Sequence, residues 1–220
     1  MTCTKQKRLV IAVCAFAAFA LWTFAVCRVD VAEIGPRGST VGFAAVNKAF
    51  HDLTGVHMSL YIITDWLGLV PIALAMGFAL LGLAQWVKRK SLMKIDRSIL
   101  ILGGFYLAVM TVYIVFEAVA VNYRPVLIDG CLEASYPSST TMLVLCVMPT
   151  AIMQLNTRIN HRAIRCGIAA AIAAFTAFMV IGRMFSGVHW LSDIIGSMLV
   201  SAGLVMMYHG LCSSEEITCR

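Results

Sequence analysis

Six apolar stretches, most of them about 20 residues long, constrain this chain more than any other feature. They run from Leu9 to Cys27, Ser59 to Trp86, Ser98 to Val121, Thr140 to Leu155, Ile164 to Ile181 and Trp190 to Gly210. A helix of about 20 residues crosses a bilayer core, and within hydrocarbon the backbone polar groups must be satisfied inside the segment. The composition agrees: 60% of the 220 residues are hydrophobic and 13% are charged, against about half and a quarter in a soluble domain. The expected fold class is therefore all-α and integral to the membrane, a six-transmembrane-helix bundle forming a single domain over residues 1–220. The first stretch has a secretory signal as its rival. It is longer than a signal's apolar core, and Ala25-Val26-Cys27 makes a poor cleavage site, so it counts as a span. Between the first two spans, Val41 to Leu53 has the pattern of a short amphipathic helix on the membrane surface. Pro71 is expected to kink the second span.

Charge sets the orientation. Lys5, Lys7 and Arg8, the cluster from Lys88 to Arg97, the loop with Arg158, Arg162 and Arg165, and Arg220 all fall on one side of a six-span topology. Arg28, Arg37, Lys48, Arg124 and Arg183 fall on the other. Cytoplasmic loops are enriched in Lys and Arg, so both termini are expected in the cytoplasm and the loops at 28–58, 122–139 and 183–189 outside. The formal net charge of +6 is thus explained without nucleic acid, and no basic run is interleaved with exposed aromatics. The eight cysteines show no metal-ligand spacing. Cys27 and Cys131 both face outward in this topology, which leaves one bridge open.

Chemistry-bearing residues gather at three of the outward helix mouths. The segment Gly182 to Asp193 contains Arg183, His189 and Asp193. His189 and Asp193 are four apart, so on a helix they share a face. A carboxylate there can accept the Nδ1–H of the imidazole and leave Nε2 free as base or nucleophile, while Arg183 suits a phosphate. A polar loop with a helix cap fits these residues equally well. The second mouth carries Arg124-Pro125, where an arginine can also simply reach for lipid head groups. The third is Ser135-Tyr136-Pro137-Ser138-Ser139-Thr140, with Ser135 the expected N-cap. A helix N-terminus binds anions, and the hydroxyls of Ser138, Ser139 and Thr140 add donors.

The order and spacing of these segments resemble the type 2 phosphatidic acid phosphatase (PAP2) superfamily over roughly residues 59–210. That family's pattern is a lysine seven residues before Arg-Pro, then Pro-Ser-Gly-His, then Ser-Arg, five residues, His, three residues, Asp. Arg124-Pro125, Pro137-Ser138 and Arg183, His189 and Asp193 match it. The resemblance implies that His189 attacks phosphorus to form a phosphohistidine, Asp193 orients it, and Arg124, Arg183 and Ser138 hold phosphate oxygens. It implies a lipid phosphate or diphosphate phosphohydrolase at the outer face of a bacterial cytoplasmic membrane, with phosphatidate or undecaprenyl diphosphate as substrate and no metal or cofactor. The sequence departs from the pattern at Thr140 (family His, the acid), Ser139 (Gly), Glu117 (Lys) and Gly182 (Ser). General acid help is worth about 10²–10⁴ in rate, most for a poor leaving group, so a diphosphate is penalised least by Thr140. Glu117 and then His57 are the candidate replacement acids, and Asp65 is a third intramembrane carboxyl. The departures leave two alternatives: a relative that binds lipid phosphate without turnover, and a transferase of phosphoryl or head groups.

Overall fold

The computed structural model describes residues 3–212, so the acidic tail with Glu215 and Glu216 lies outside the described residues. These residues form eight α-helices: α1 (Cys3–Arg28), α2 (Ala44–Thr54), α3 (Met58–Leu67), α4 (Leu69–Arg89), α5 (Arg97–Ala118), α6 (Ser139–Asn156), α7 (Arg162–Phe185) and α8 (Leu191–Cys212). With α3 and α4 counted as one span of 32 residues, six segments are long and apolar enough to cross a membrane. The protein is an integral, multi-pass membrane protein with an all-helical bundle, as the hydropathy indicates.

Burial runs opposite to that of a soluble protein. Leu107, Leu21 and Trp66 are about 70% exposed on the bundle's outside, whereas Arg183, Asp193 and His189 are at most 4% exposed inside it. A hydrocarbon surround accepts the first set. The second set must find partners within the protein. α6 and α8 form the centre of the bundle and are flanked by α1, α4, α5 and α7. One face of α8 carries Gly196, Gly203 and Gly210 at a seven-residue spacing. A Cβ on them would lie 2.6 Å from Tyr136, 2.8 Å from Phe16 and 3.0 Å from Leu9. Gly203 and Gly210 let α1 lie directly along α8, the close approach that small residues allow in membranes, and Gly196 makes room for the Tyr136 ring. Trp22 Nε1 donates to the Ser192 carbonyl at 3.1 Å across the same interface.

Three local expectations change. The second span breaks at Gly68, not at Pro71, and Gly68 separates α3 from α4. The cause is still Pro71, which offers no N–H to the carbonyl of Leu67 four residues earlier and crowds it. The fourth span begins at Ser139 with Ser138 as N-cap, so Ser135 is not a cap residue. The third span ends at Ala118, and the chain from 119 to 138 is an extended excursion with short antiparallel pairings. The helix expected over Val41–Leu53 is present as α2, one turn later at its start. Cys27 and Cys131 are free thiols.

Candidate active site

One end of the bundle gathers the turn before α3, the 119–138 excursion, the start of α6 and the α7–α8 junction. The excursion is held in register by pairing. Arg124 N donates to the Glu133 carbonyl at 3.0 Å, and Ser135 N donates to the Asn122 carbonyl at 2.9 Å, on either side of an antiparallel bridge between Tyr123 and Ala134. Side chains two apart on an extended segment share a face. Asn122 and Arg124 therefore project together, opposite Ser135 and Glu133. This small ribbon delivers a cation and two polar groups to one place.

The α7–α8 junction is also pinned. Ser186 Oγ donates to the Arg183 carbonyl at 2.7 Å, and the Ser186 carbonyl accepts the His57 N–H at 2.9 Å. Gly187 follows with φ +71°, and a Cβ there would sit 2.2 Å from the Gly55 carbonyl oxygen. Only glycine satisfies both the left-handed conformation and the close approach. His189 thus lies in a fixed turn before α8 rather than on the helix, which begins at Leu191. The shared helical face expected for His189 and Asp193 does not form.

Asp193 is completely buried and occupies the third position of α8. Its Oδ2 accepts from Trp190 N at 3.0 Å, which is the return half of a capping box, and from Ser135 Oγ at 2.6 Å. Its Oδ1 accepts from Asn122 Nδ2 at 2.9 Å and from Ser192 Oγ at 3.4 Å. The helix-cap reading of this carboxylate therefore applies, and its other donors come from the ribbon and from Ser192. The imidazole does not bond to it directly: His189 Nδ1 lies 2.9 Å from Ser135 Oγ. His189 Nε2 is buried and has no partner. Burial first, and the charges of Arg124 and Arg183 second, hold His189 well below the ordinary imidazole pKa of 6.5.

The arginines are similarly prepared. Arg183 is 1% exposed. Its Nη2 donates to Thr140 Oγ1 at 2.8 Å and lies 3.5 Å from Asp65 Oδ1, and its Nη1 reaches Thr64 Oγ1 at 3.4 Å. Arg124 Nε stands 3.0 Å from Glu133 Oε2, an ion pair without hydrogen-bond alignment. Arg183 Nε and Arg124 Nε and Nη1 are buried with no hydrogen-bond acceptor. Both guanidiniums lie over the Tyr61 ring, 4.9 Å and 5.8 Å from its centroid. Buried donors are almost always satisfied. Two arginine nitrogens with no acceptor of any kind, Arg183 Nε and Arg124 Nη1, near a bare imidazole nitrogen describe the surroundings an oxyanion needs.

A cavity of about 210 Å³ opens here, its walls including Glu117, Arg124, Glu133, Ser135, Ser139 and His189. A larger apolar groove of about 430 Å³, between α4, α5 and α6, shares Tyr113, Ser139 and Met142 with it and adds Thr140 and Leu143. At the start of α6, the N–H groups of Ser139, Thr140 and Thr141 precede the first intrahelical bond, Met142 N to the Ser138 carbonyl, and have no acceptor within the helix.

Of the residues singled out from sequence, Arg124, Ser139, His189 and Glu117 line the cavity, with Arg183, Thr140 and Asp193 bonded just behind or beside it. Ser138 is fully buried, its Oγ paired with Thr141 Oγ1 at 3.0 Å, and it faces the α6–α8 contact. His57 is exposed, with Nε2 donating to the Thr54 carbonyl at 2.9 Å, away from the cavity walls. Asn122, Glu133, Tyr61 and the role of Ser135 were not found from sequence. A polar residue at a helix mouth carries no signal for a partner 50 or more positions away.

No protein-family model matches the sequence, and no curated protein matches it. Among solved structures, the crystal structure of a transmembrane PAP2 type phosphatidylglycerolphosphate phosphatase from Bacillus subtilis matches 94% of this chain and 97% of its own, with a TM-score of 0.56 at 18% identity. At that coverage the match takes in nearly all the elements described above. The chain has the fold of a transmembrane PAP2-type phosphatase.

Proposed function

We propose that this protein is a lipid phosphate phosphohydrolase of PAP2 type, with His189 as nucleophile. The observation that carries the reading is the bare, buried Nε2 of His189 beside the unpaired donors of Arg124 and Arg183. Nε2 attacks phosphorus, the bond from phosphorus to the leaving oxygen breaks, and water then releases phosphate from the phosphohistidine. The two guanidiniums and the N–H groups at the start of α6 hold the equatorial oxygens. The apolar groove beside the cavity supports a substrate whose chain stays in the bilayer. Phosphatidate and a polyprenyl diphosphate such as undecaprenyl diphosphate both meet this description. Thr140 has no proton to give near neutral pH, and Glu117 on the cavity wall is the replacement donor. The arginines supply the positive charge, so the reaction needs no metal. The basic loops at the opposite end of the bundle support an outward-facing site in a bacterial cytoplasmic membrane.

The test is phosphate release from both lipids by purified protein in excess chelator. Wild type is expected to turn over at least one of them, and His189→Ala to lose turnover completely. Unchanged turnover in that variant removes His189 as nucleophile. A second reading, lipid phosphate binding without turnover, is favoured by one observation: Thr140 is already committed to Arg183. Tight binding with no release of phosphate, and activity gained by Thr140→His, would favour it. Product analysis with acceptor lipids present separates hydrolysis from transfer.

A further inference from the structure

The link between His189 and Asp193 runs through a third side chain. Ser135 is 2% exposed, and its Oγ is 2.6 Å from Asp193 Oδ2 and 2.9 Å from His189 Nδ1. We propose that Ser135 is a positioning residue, a one-hydroxyl relay that joins the carboxylate to the imidazole and fixes which nitrogen of His189 carries the proton. The inference rests on the reading of His189 as nucleophile.

Proton counting gives the relay its direction. An ionised carboxylate only accepts, and three other donors already surround Asp193: Trp190 N, Asn122 Nδ2 and Ser192 Oγ. The single hydroxyl hydrogen of Ser135 therefore goes to Oδ2. The oxygen of Ser135 is left with lone pairs, so it accepts from His189, and the proton must sit on Nδ1. Nε2 then carries a lone pair, in keeping with its lack of a partner. When Nε2 forms its bond to phosphorus, the electron pair of the broken P–O bond leaves with the oxygen, which takes a proton from water or Glu117. The Nδ1 proton stays, and the ring becomes cationic. The hydrogen bond to Ser135 strengthens as that charge develops, with Asp193 polarising the hydroxyl from behind. Water's attack on phosphorus breaks the N–P bond and restores the neutral ring.

The position of Ser135 is built in by the ribbon. Its backbone N–H is bonded to the carbonyl of Asn122, whose side chain holds the other oxygen of Asp193. The relay and its carboxylate are therefore aligned by one residue. The same ribbon carries Arg124, so the phosphate-facing cation and the relay are set in a single register.

The experiment is nitrogen-15 NMR of histidine-labelled protein in micelles, with the His189 signals assigned by His189→Gln, alongside kcat and KM for phosphate release. In wild type, His189 is expected to be protonated at Nδ1 and bare at Nε2. Ser135→Ala is expected to lose that single tautomer and about ten- to a hundredfold in kcat, with KM little changed. Ser135→Thr keeps the hydroxyl and is expected to recover the tautomer and most of the rate. A merely structural serine would not move the tautomer. The proposal is overturned if wild-type His189 carries its proton on Nε2, or if Ser135→Ala keeps both the tautomer and the rate. If wild type releases no phosphate from any lipid, the functional reading fails, and the tautomer comparison still decides the relay. If Ser135→Thr does not fold, wild type and Ser135→Ala decide it.

Discussion

The neighbours of His189 disfavour its charged form, and on the proposed role this decides how activity responds to acid. Desolvation and two nearby guanidiniums both disfavour the imidazolium, which holds the pKa well below 6.5. The sign follows directly: with a lowered pKa, the neutral imidazole survives as pH falls through 6.5, and with His189 as the proposed nucleophile the acid limb of kcat/KM is expected well below that value. Arg124→Gln removes one of the opposing charges, so His189 takes its proton at a higher pH. The acid limb is expected to move upward in that variant, with kcat/KM at neutral pH down about 10–100-fold from the lost phosphate contact. A pH–rate profile of both proteins checks it, and a downward move would contradict the assigned electrostatics. The types and spacing of Arg183, His189 and Asp193 were legible in the sequence because they lie close together along the chain. The Ser135 link was not, since it depends on how a ribbon more than 50 residues upstream is paired. Ser138 shows the converse: its motif position was legible, but whether its hydroxyl faces the cavity or its own helix is decided by packing.

Where α3 meets α7, small side chains support the site from behind. A Cβ on Gly182 would stand 2.7 Å from Thr64 Cγ2, and Thr64 Oγ1 is one of the supports of Arg183. Gly182→Ser, which introduces the residue of the PAP2 pattern, is thus a crowded substitution. It is expected to push Thr64 aside, cost about 1–3 kcal/mol by overpacking and lower kcat/KM. Thermal unfolding in detergent together with the lipid assay measures both effects. A variant as stable and as active as wild type would mean that α3 yields freely. Helix existence was readable here from hydrophobic length, but helix ends were not. The α3–α4 break moved to Gly68 because proline acts on the carbonyl four residues before it, and α6 starts at Ser139 because the preceding residues are drawn into the ribbon and the site.

The bundle as a whole is polarised. The end with the candidate site carries the excursion and the α2 segment, while the Lys88–Arg97 and Arg158–Arg165 clusters occupy the other end. The six spans were fully legible, because a helix in hydrocarbon has no alternative way to satisfy its backbone. The order of the helices around the centre was not, since apolar faces look alike toward lipid and toward protein. Orientation is open to direct measurement. Cys131 is exposed on the excursion, so a variant retaining it as the only cysteine is expected to react with an impermeant maleimide added to intact cells. Labelling only after lysis would reverse the topology.

The close packing of α1 along α8 has a consequence for how the protein is made. The ribosome completes α1 long before α8, yet these two helices are each other's main neighbours. Trp22 reaches the first turn of α8 beside Asp193, and Thr23 bonds the Tyr136 hydroxyl at 2.7 Å. α1 must therefore wait, its face that meets Gly203 and Gly210 against lipid or an insertion factor, until α8 arrives. Until then the turn that seats His189 lacks its support, so the candidate site is assembled only once α1 and α8 have met.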